Sequence, residues 1–197
     1  MKLSVTLMPH FKGFFEIISG CFEDYDQFYS PEAKMAHDRS CRAHNRNAHM
    51  RERASRYAAK MPNVTMFESK GLIGILINQC IAVLFKKLDD DRNPRNNLTA
   101  QMEDYLNQEQ IEGIEAPIKL IAGYTENKET GEMAGAYVIR PSGVGHNRWE
   151  LPLTSEDTTP MVTELFEEDD EIQEADVTKR REPAVVIPFK EDDGNQS

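Results

Sequence analysis

Basic side chains recur at alternating steps of three and four along residues 30–62. The series consists of Arg39, Arg42, Arg46, His49, Arg53, Arg56 and Lys60. These offsets return to the same side of an α-helix, so the charges are expected to form one stripe. A guanidinium group binds phosphate through two parallel hydrogen bonds, and a row of such groups can follow a nucleic-acid backbone. The stripe predicts a surface that binds DNA or RNA with little base specificity, because phosphate contacts position a protein without reading sequence.

Aromatic side chains near the stripe would add stacking on unpaired bases. Tyr57 in the same segment and Trp149 further along the chain are the candidates. His49 would join the phosphate contacts when it is protonated. The residue pattern leaves other roles open. The stripe is then a solvated face, a face paired with the protein's own acids, including Asp38 and Glu52, or a surface for a protein partner.

The segment that carries the stripe is predicted to be a single helix between Ser30 and Pro62. Ser30 is a good N-cap residue, and Pro31 suits the first helical position because its missing N–H would have had no partner. Pro62 ends the helix, since the residue before a proline is pushed away from the α conformation. The helix would be roughly 45 Å long. A small apolar face beside the stripe would pack on the rest of the protein, through Ala36, Ala43, Met50, Ala54, Tyr57 and Met61.

The remaining elements indicate an α+β fold. Alternating or continuous apolar runs predict strands at Leu3–Leu7, Val64–Ser69, Leu72–Ile77, Cys80–Leu88, Ile118–Thr125, Glu132–Arg140 and Asn147–Leu153. Helical spacing predicts further helices over residues 10–28 and over Leu98–Glu112, the second closed by Gly113. We expect an antiparallel sheet of roughly four to six strands, with about three helices on one face.

Net charge divides the chain into two parts. The formal net charge of the chain is −11. Residues 154–176 contain ten acidic residues and no basic one, whereas residues 1–153 are nearly neutral. The sequence predicts a single domain over residues 1–153 and an acidic, mostly disordered tail over residues 154–197. Because the tail is tethered to the basic stripe, it would compete with phosphates there or recruit another protein.

The end of the tail contains an apolar island, Ile187, Pro188 and Phe189, behind the acidic tract. This triplet resembles the tail tip of bacterial single-stranded-DNA-binding proteins, which implies docking of a protein partner. In that family the triplet ends the chain directly after the acids. Here three basic residues, Lys179, Arg180 and Arg181, intervene, and eight residues follow.

A zinc site is one alternative chemistry for the basic helix. His37, Cys41 and His44 stand at spacings that place three potential zinc ligands on one helical face. No second Cys/His pair follows at a recognisable spacing, so the pattern is incomplete for a structural zinc site.

Magnesium-dependent cleavage of nucleic acid is a second alternative. The carboxylates of Asp89–Asp91 follow an apolar strand that ends in Lys86 and Lys87, with Glu68 on a neighbouring strand. Such an arrangement can hold Mg²⁺ for phosphodiester cleavage, so a nuclease is an alternative function.

The remaining composition favours a cytoplasmic protein without a cofactor. Three widely spaced cysteines do not form a disulfide framework, and the longest apolar run is too short to span a bilayer. No P-loop, GxSxG or paired CxxC motif is present. The predicted function is that of a non-enzymatic nucleic-acid-binding accessory protein, of the kind found on mobile elements. A protein-binding regulator or inhibitor is the first alternative.

Overall fold

The fold is described by a computed structural model over residues 3–69, 71–94, 98–112, 116 and 118–155. The predicted acidic tail lies outside the described residues apart from its first two positions. The apolar island of the tail, Ile187, Pro188 and Phe189, also lies outside the described residues. The same is true of Gly113, which was predicted to close a helix.

The described residues form four helices and a six-stranded sheet, an α+β arrangement. The helices are α1 (Leu3–Phe28), α2 (Pro31–Ala36), α3 (Arg39–Lys60) and α4 (Ala100–Leu106). The strands are β1 (Val64–Ser69), β2 (Leu72–Ile77), β3 (Ile81–Lys87), β4 (Ile118–Glu126), β5 (Met133–Gly143) and β6 (His146–Leu153), and they lie side by side in chain order. None of the described helices combines the length and apolar composition needed to cross a lipid bilayer.

The sheet is mixed, so the predicted all-antiparallel sheet is wrong at one pairing. Strands β3 and β4 pair in parallel, while the other four neighbouring pairs are antiparallel. Parallel neighbours need a crossover connection, and α4 lies within the long connection between β3 and β4. The Tyr105 hydroxyl of α4 lies 2.8 Å from the carbonyl oxygens of Ala82 on β3 and Leu120 on β4, which ties the crossover helix to the two parallel strands.

Helices cover both faces of the sheet, not one as predicted. On one face α1 and α3 pack on alternate strand residues such as Val83, Leu120 and Val138. On the other face α4 packs on the residues between them, such as Leu84 and Ile121. Because each central strand is buried on both faces, β3 begins with five consecutive apolar residues and β4 is buried along nearly its whole length, Lys119 included.

The predicted strand at Leu3–Leu7 is instead the first part of α1. Leu3 and Leu7 are buried, whereas Val5 between them is 67% exposed. Two buried residues four apart lie on one side of a helix, so the apparent alternation is a fragment of helical periodicity. Pro9 lies inside this helix and does not end it.

The predicted single helix over residues 30–62 is divided into α2 and α3 at His37 and Asp38, which have extended backbone conformations. Asp38 begins the second helix as its N-cap, where its Oδ1 accepts a hydrogen bond from the backbone N–H of Cys41 at 2.7 Å. The Nδ1 atom of His37 lies 2.7 Å from the hydroxyl of Tyr25 on α1, which holds the break against the preceding helix.

The predicted turn at Asn78–Gln79 is confirmed. Both residues have positive φ angles, and the N–H of Cys80 donates to the carbonyl of Ile77 at 3.0 Å, which closes a tight turn between β2 and β3. The hairpin of β4 and β5 and the last strand β6 are also confirmed, with small differences in their bounds. The predicted helix Leu98–Glu112 is shorter than expected and forms α4.

Candidate nucleic-acid interface

The basic stripe lies along the seam between α1 and α3. Two glycines of α1 bring these helices together, because a Cβ atom on Gly13 would overlap the Tyr57 ring and one on Gly20 would overlap the Arg53 guanidinium. The two helices are antiparallel, because Gly13 lies against Tyr57 and the later Gly20 lies against the earlier Arg53. The side chains of the stripe therefore meet a second helix, and several of them bind it.

Arg46 is buried and belongs to the interior of the protein. Its Nη1 donates to Oε1 of Glu126 at 3.0 Å, and its Nη2 donates to the carbonyl of Gly131 at 2.8 Å. The guanidinium carbon also lies 4.0 Å from the ring centre of Phe22. Lys87 forms a second ion pair with Glu126. Since 6% of the Arg46 side chain is exposed, this arginine joins α3 to β4 and the following loop and offers no surface to a phosphate.

Arg53 is held by an acid of α1. Its Nε and Nη2 donate to the two carboxylate oxygens of Asp24 at 2.6 and 2.7 Å, a two-bonded ion pair across the seam. These hydrogen bonds hold the pKa of Asp24 below its usual range and raise the pKa of Arg53. A quarter of the Arg53 side chain stays exposed. The third guanidinium nitrogen, Nη1, lies against Gly20 of α1.

Arg42 and His49 also contact the protein itself. The Nη1 of Arg42 donates to the carbonyl of His37 at 3.0 Å, across the break between α2 and α3. The His49 ring stacks on Phe28 of α1 with 5.3 Å between the ring centres. These positions place the first half of the stripe against the end of α1, and both side chains are half-buried.

The two aromatic candidates do not lie on an open surface. Trp149 on β6 is 8% exposed and packs in the core beneath α1. The Tyr57 hydroxyl lies 2.6 Å from Nδ1 of His10 on α1. Burial raises the pKa of Tyr57 to about 12 and lowers the pKa of His10. The Trp149 ring is covered and Tyr57 is part of the seam, so base stacking by these two side chains stays a prediction.

Three residues of the stripe remain exposed, namely Arg39, Arg56 and Lys60. Arg56 donates to Glu52 one turn away at 3.1 Å, but both side chains are more than half exposed. Arg39 and Lys60 make no hydrogen bond or ion pair with the part of the chain that the structure describes. Arg56 and Lys60 are one helical turn apart at the end of α3, whereas Arg39 lies at its beginning, about 30 Å away.

An open pocket lies beside Arg56 and Lys60, between α3 and α1. Its volume is about 180 Å³, and it is lined by Gly13, Glu16, Ile17, Arg53, Arg56, Tyr57 and Lys60. Three basic side chains and one acidic side chain therefore face the same space. Neither Glu16 nor Gly13 was predicted as a site residue. The available signal was the seven-residue spacing of Gly13 and Gly20, which places both glycines on one side of α1.

No protein family, curated protein or solved structure matches this chain. Function is therefore inferred from the geometry of the described residues.

The structure does not bring the predicted metal ligands together. Among the described residues, the group whose ligand atoms lie within 4.8 Å of one another is Asp24, His49 and Glu52. The two carboxylates of the group are already bound by arginines, Asp24 by Arg53 and Glu52 by Arg56. The group includes none of the predicted ligands, which are His37, Cys41 and His44 for zinc and Glu68 and Asp89–Asp91 for magnesium.

The acids after β3 are used locally. Asp89 accepts a hydrogen bond from the N–H of Asn93 at 2.8 Å, which shapes the loop. Asp90 forms an ion pair with Lys128 of the β4–β5 connection. Glu68 lies on β1, and β2 separates this strand from β3. These contacts give the acids structural roles, and a nuclease stays an alternative hypothesis.

Proposed function

We propose that the protein binds nucleic acid through the pocket between α1 and α3, with Arg56 and Lys60 as the principal phosphate contacts. The observation that carries this proposal is the convergence of three basic side chains, Arg53, Arg56 and Lys60, on one open pocket. Arg42, Arg46 and Trp149, which were predicted from the sequence, have no part in this proposal because none of them lines the pocket. Arg46 and Trp149 are buried, and Arg42 is bound to the carbonyl of His37.

The distribution of charge along the seam supports the end of α3 as the binding position. The opposite end of the seam carries the acids Asp26, Glu32 and Asp38, of which Asp26 is paired with Lys34. Phosphates would be repelled there, although Arg39 is exposed nearby. The pocket near Lys60 is lined by one acid, Glu16, and three cations, of which Arg53 is also paired with Asp24 and Arg56 with Glu52. A bound strand is therefore expected to contact the end of α3 and not its whole length.

A salt series tests the proposal. Few phosphate contacts predict a modest dependence, with a slope of log Kd against log salt of about 2 for two contacts. Fluorescence anisotropy with labelled single- and double-stranded oligonucleotides would measure it. Lys60→Glu is expected to weaken binding at least tenfold at low salt, because it removes one contact and adds repulsion.

Arg51→Glu is the matched control. Arg51 lies on the same helix, is exposed and carries the same charge, but it is not among the residues that line the pocket. The two variants have equal net charge. Equal weakening by both would show a diffuse charge effect and contradict the proposed site. Absence of binding at low salt would overturn the proposal and favour the protein-partner alternative.

A further inference from the structure

The pocket between α1 and α3 is closed on its inner side. Its floor is formed by Gly13 and Ile17, which are buried in the seam, and one wall is the Tyr57 ring. That ring is held by the hydrogen bond of its hydroxyl to His10. The pocket has room for several water molecules. It is larger than one ion requires and smaller than the sites of about 300 Å³ or more that enclose whole drug-sized ligands.

Arg56 and Lys60 have hydrogen-bond donors left for a ligand. Arg56 uses Nη2 on Glu52, and the Lys60 ammonium has no partner among the described residues. Arg53 uses Nε and Nη2 on Asp24 and packs its Nη1 against Gly20, so it contributes charge to the pocket. Ion pairs with Asp24 and Glu52 also hold the two guanidinium groups in place. The arrangement provides several charge-assisted donors to a single anionic group.

Glu16 lines the pocket together with the three basic side chains. An internal phosphodiester carries one negative charge and has acceptor oxygens only, so next to this carboxylate it meets repulsion. A terminal phosphate monoester has a second pKa of about 6, and in its singly charged form it carries the same charge but can donate a P–OH hydrogen bond to the carboxylate. In its doubly charged form it is attracted more strongly by the cations and repelled more strongly by Glu16, so the closed floor of the pocket is the feature that favours a strand end.

We propose that the pocket binds the terminal phosphate of a nucleic-acid strand, so that the protein recognises phosphorylated strand ends. This inference rests on the proposed nucleic-acid binding and specifies its ligand. A strand that enters a pocket with a closed floor ends there, whereas a continuous strand passes across the opening. Internal phosphates would then contribute through the rim residues alone.

The test compares one oligonucleotide in four forms: with a 5′-phosphate, with a 3′-phosphate, with hydroxyl ends, and closed into a circle. We expect one or both phosphorylated forms to bind about tenfold or more tightly than the hydroxyl-ended and circular forms, a factor typical of one added charge-assisted contact. Competition with inorganic phosphate and a nucleoside monophosphate distinguishes a strand end from a free phosphate. Competition at micromolar concentrations of either would assign the pocket to small phosphates and overturn the inference.

Variants separate this inference from the proposed function. Lys60→Met and Arg56→Gln are expected to abolish the preference for phosphorylated ends, while Arg51→Gln preserves it. Glu16→Gln is expected to tighten binding of the phosphorylated forms at pH 7, because the repulsion between the carboxylate and the terminal phosphate is removed. If all four forms bind wild-type protein equally and Lys60→Met still weakens binding, the nucleic-acid site stands and end recognition is wrong. If none of the four forms binds, both proposals fail.

Discussion

Arg46 shows how a residue chosen for binding can serve stability. Its guanidinium is enclosed by Glu126, the carbonyl of Gly131 and the Phe22 ring. Arg46→Met would leave Glu126 and the carbonyl without these donors. Removing one partner of a buried ion pair typically costs about 3–5 kcal/mol of unfolding free energy. Urea denaturation should show a loss of this size, and Arg39→Met at an exposed position should change stability by about 0.5 kcal/mol or less. A loss below about 1 kcal/mol for Arg46→Met would contradict its buried placement.

Asp24 makes stability depend on pH. Its hydrogen bonds to Arg53 hold its pKa below the unfolded value of about 3.9, so its ionised form stabilises the folded state. This contribution is fully present above the unfolded pKa and is lost as pH falls through the folded pKa. Asp24→Asn should therefore lower stability at pH 7 by about 1–3 kcal/mol.

Thermal melts of wild type and Asp24→Asn should differ by a constant amount above about pH 4, and the difference should shrink as pH falls further through the folded pKa of Asp24. Asp26→Asn is the control, because its ion pair with Lys34 is largely exposed on the Asp26 side. A difference between wild type and Asp24→Asn that stays constant down to pH 2 would show that the Arg53 pair does not set the effect.

The glycines of α1 act on the scale of helix packing. Alanine normally favours a helix over glycine by about 1 kcal/mol, which predicts stabilisation if the site is open. At Gly13 the added Cβ would overlap the Tyr57 ring, whose hydroxyl is fixed by His10. Gly13→Ala is therefore expected to destabilise the protein by about 1–3 kcal/mol, through overpacking. It should also weaken oligonucleotide binding, because the Tyr57 ring moves toward the pocket.

Gln27→Ala provides the matched measurement for Gly13→Ala. Gln27 is exposed on the same helix, and alanine there should leave both stability and oligonucleotide binding nearly unchanged. Calorimetry and anisotropy on the two variants give the comparison. If Gly13→Ala raises the melting temperature, the two helices do not approach each other as closely as the seam requires.

Local signals in the sequence were sufficient to predict most helices and strands, but not which strands pair with each other or where the helices pack. The turn at Asn78–Gln79 and the hairpin of β4 and β5 follow from residue types within a few positions. The break at Asp38 also had a local signal, since Asp is a strong N-cap residue, but the run of helix formers around it outweighed that signal. The parallel pairing of β3 and β4 depends on where α4 packs, which no short window of sequence contains.

On the scale of the whole molecule, all seven residues of the stripe lie on α3, but the surroundings of each residue were not predictable from the sequence. Helical spacing places Arg46, Arg53 and Lys60 on one side of α3, and it does so equally for a solvated face and for an interface. In the structure these three residues have different surroundings. Arg46 is buried against Glu126 of β4, and Arg53 is paired with Asp24 of α1. Lys60 lines the pocket together with Glu16 of α1. Asp24 is 29 residues from Arg53 in the sequence, and Glu126 is 80 residues from Arg46. The sequence alone does not pair residues that are so far apart.

The acidic segment after β6 is predicted to regulate the same site. Residues 154–176 carry ten acidic side chains and no basic ones, and the chain tethers them to a domain whose pocket contains three cations. A tether of this kind gives an effective concentration of about a millimolar, so the acids compete with phosphates. Protein that ends at Ser155 should therefore bind oligonucleotides more tightly than the full chain at low salt. The difference should shrink above about 0.5 M salt, where charges are screened within a few ångströms. A full-length variant with the ten acids changed to their amides is the control for chain length, and it should bind like the truncated protein. Equal affinities of the three proteins at low salt would show that the acidic segment leaves the pocket alone.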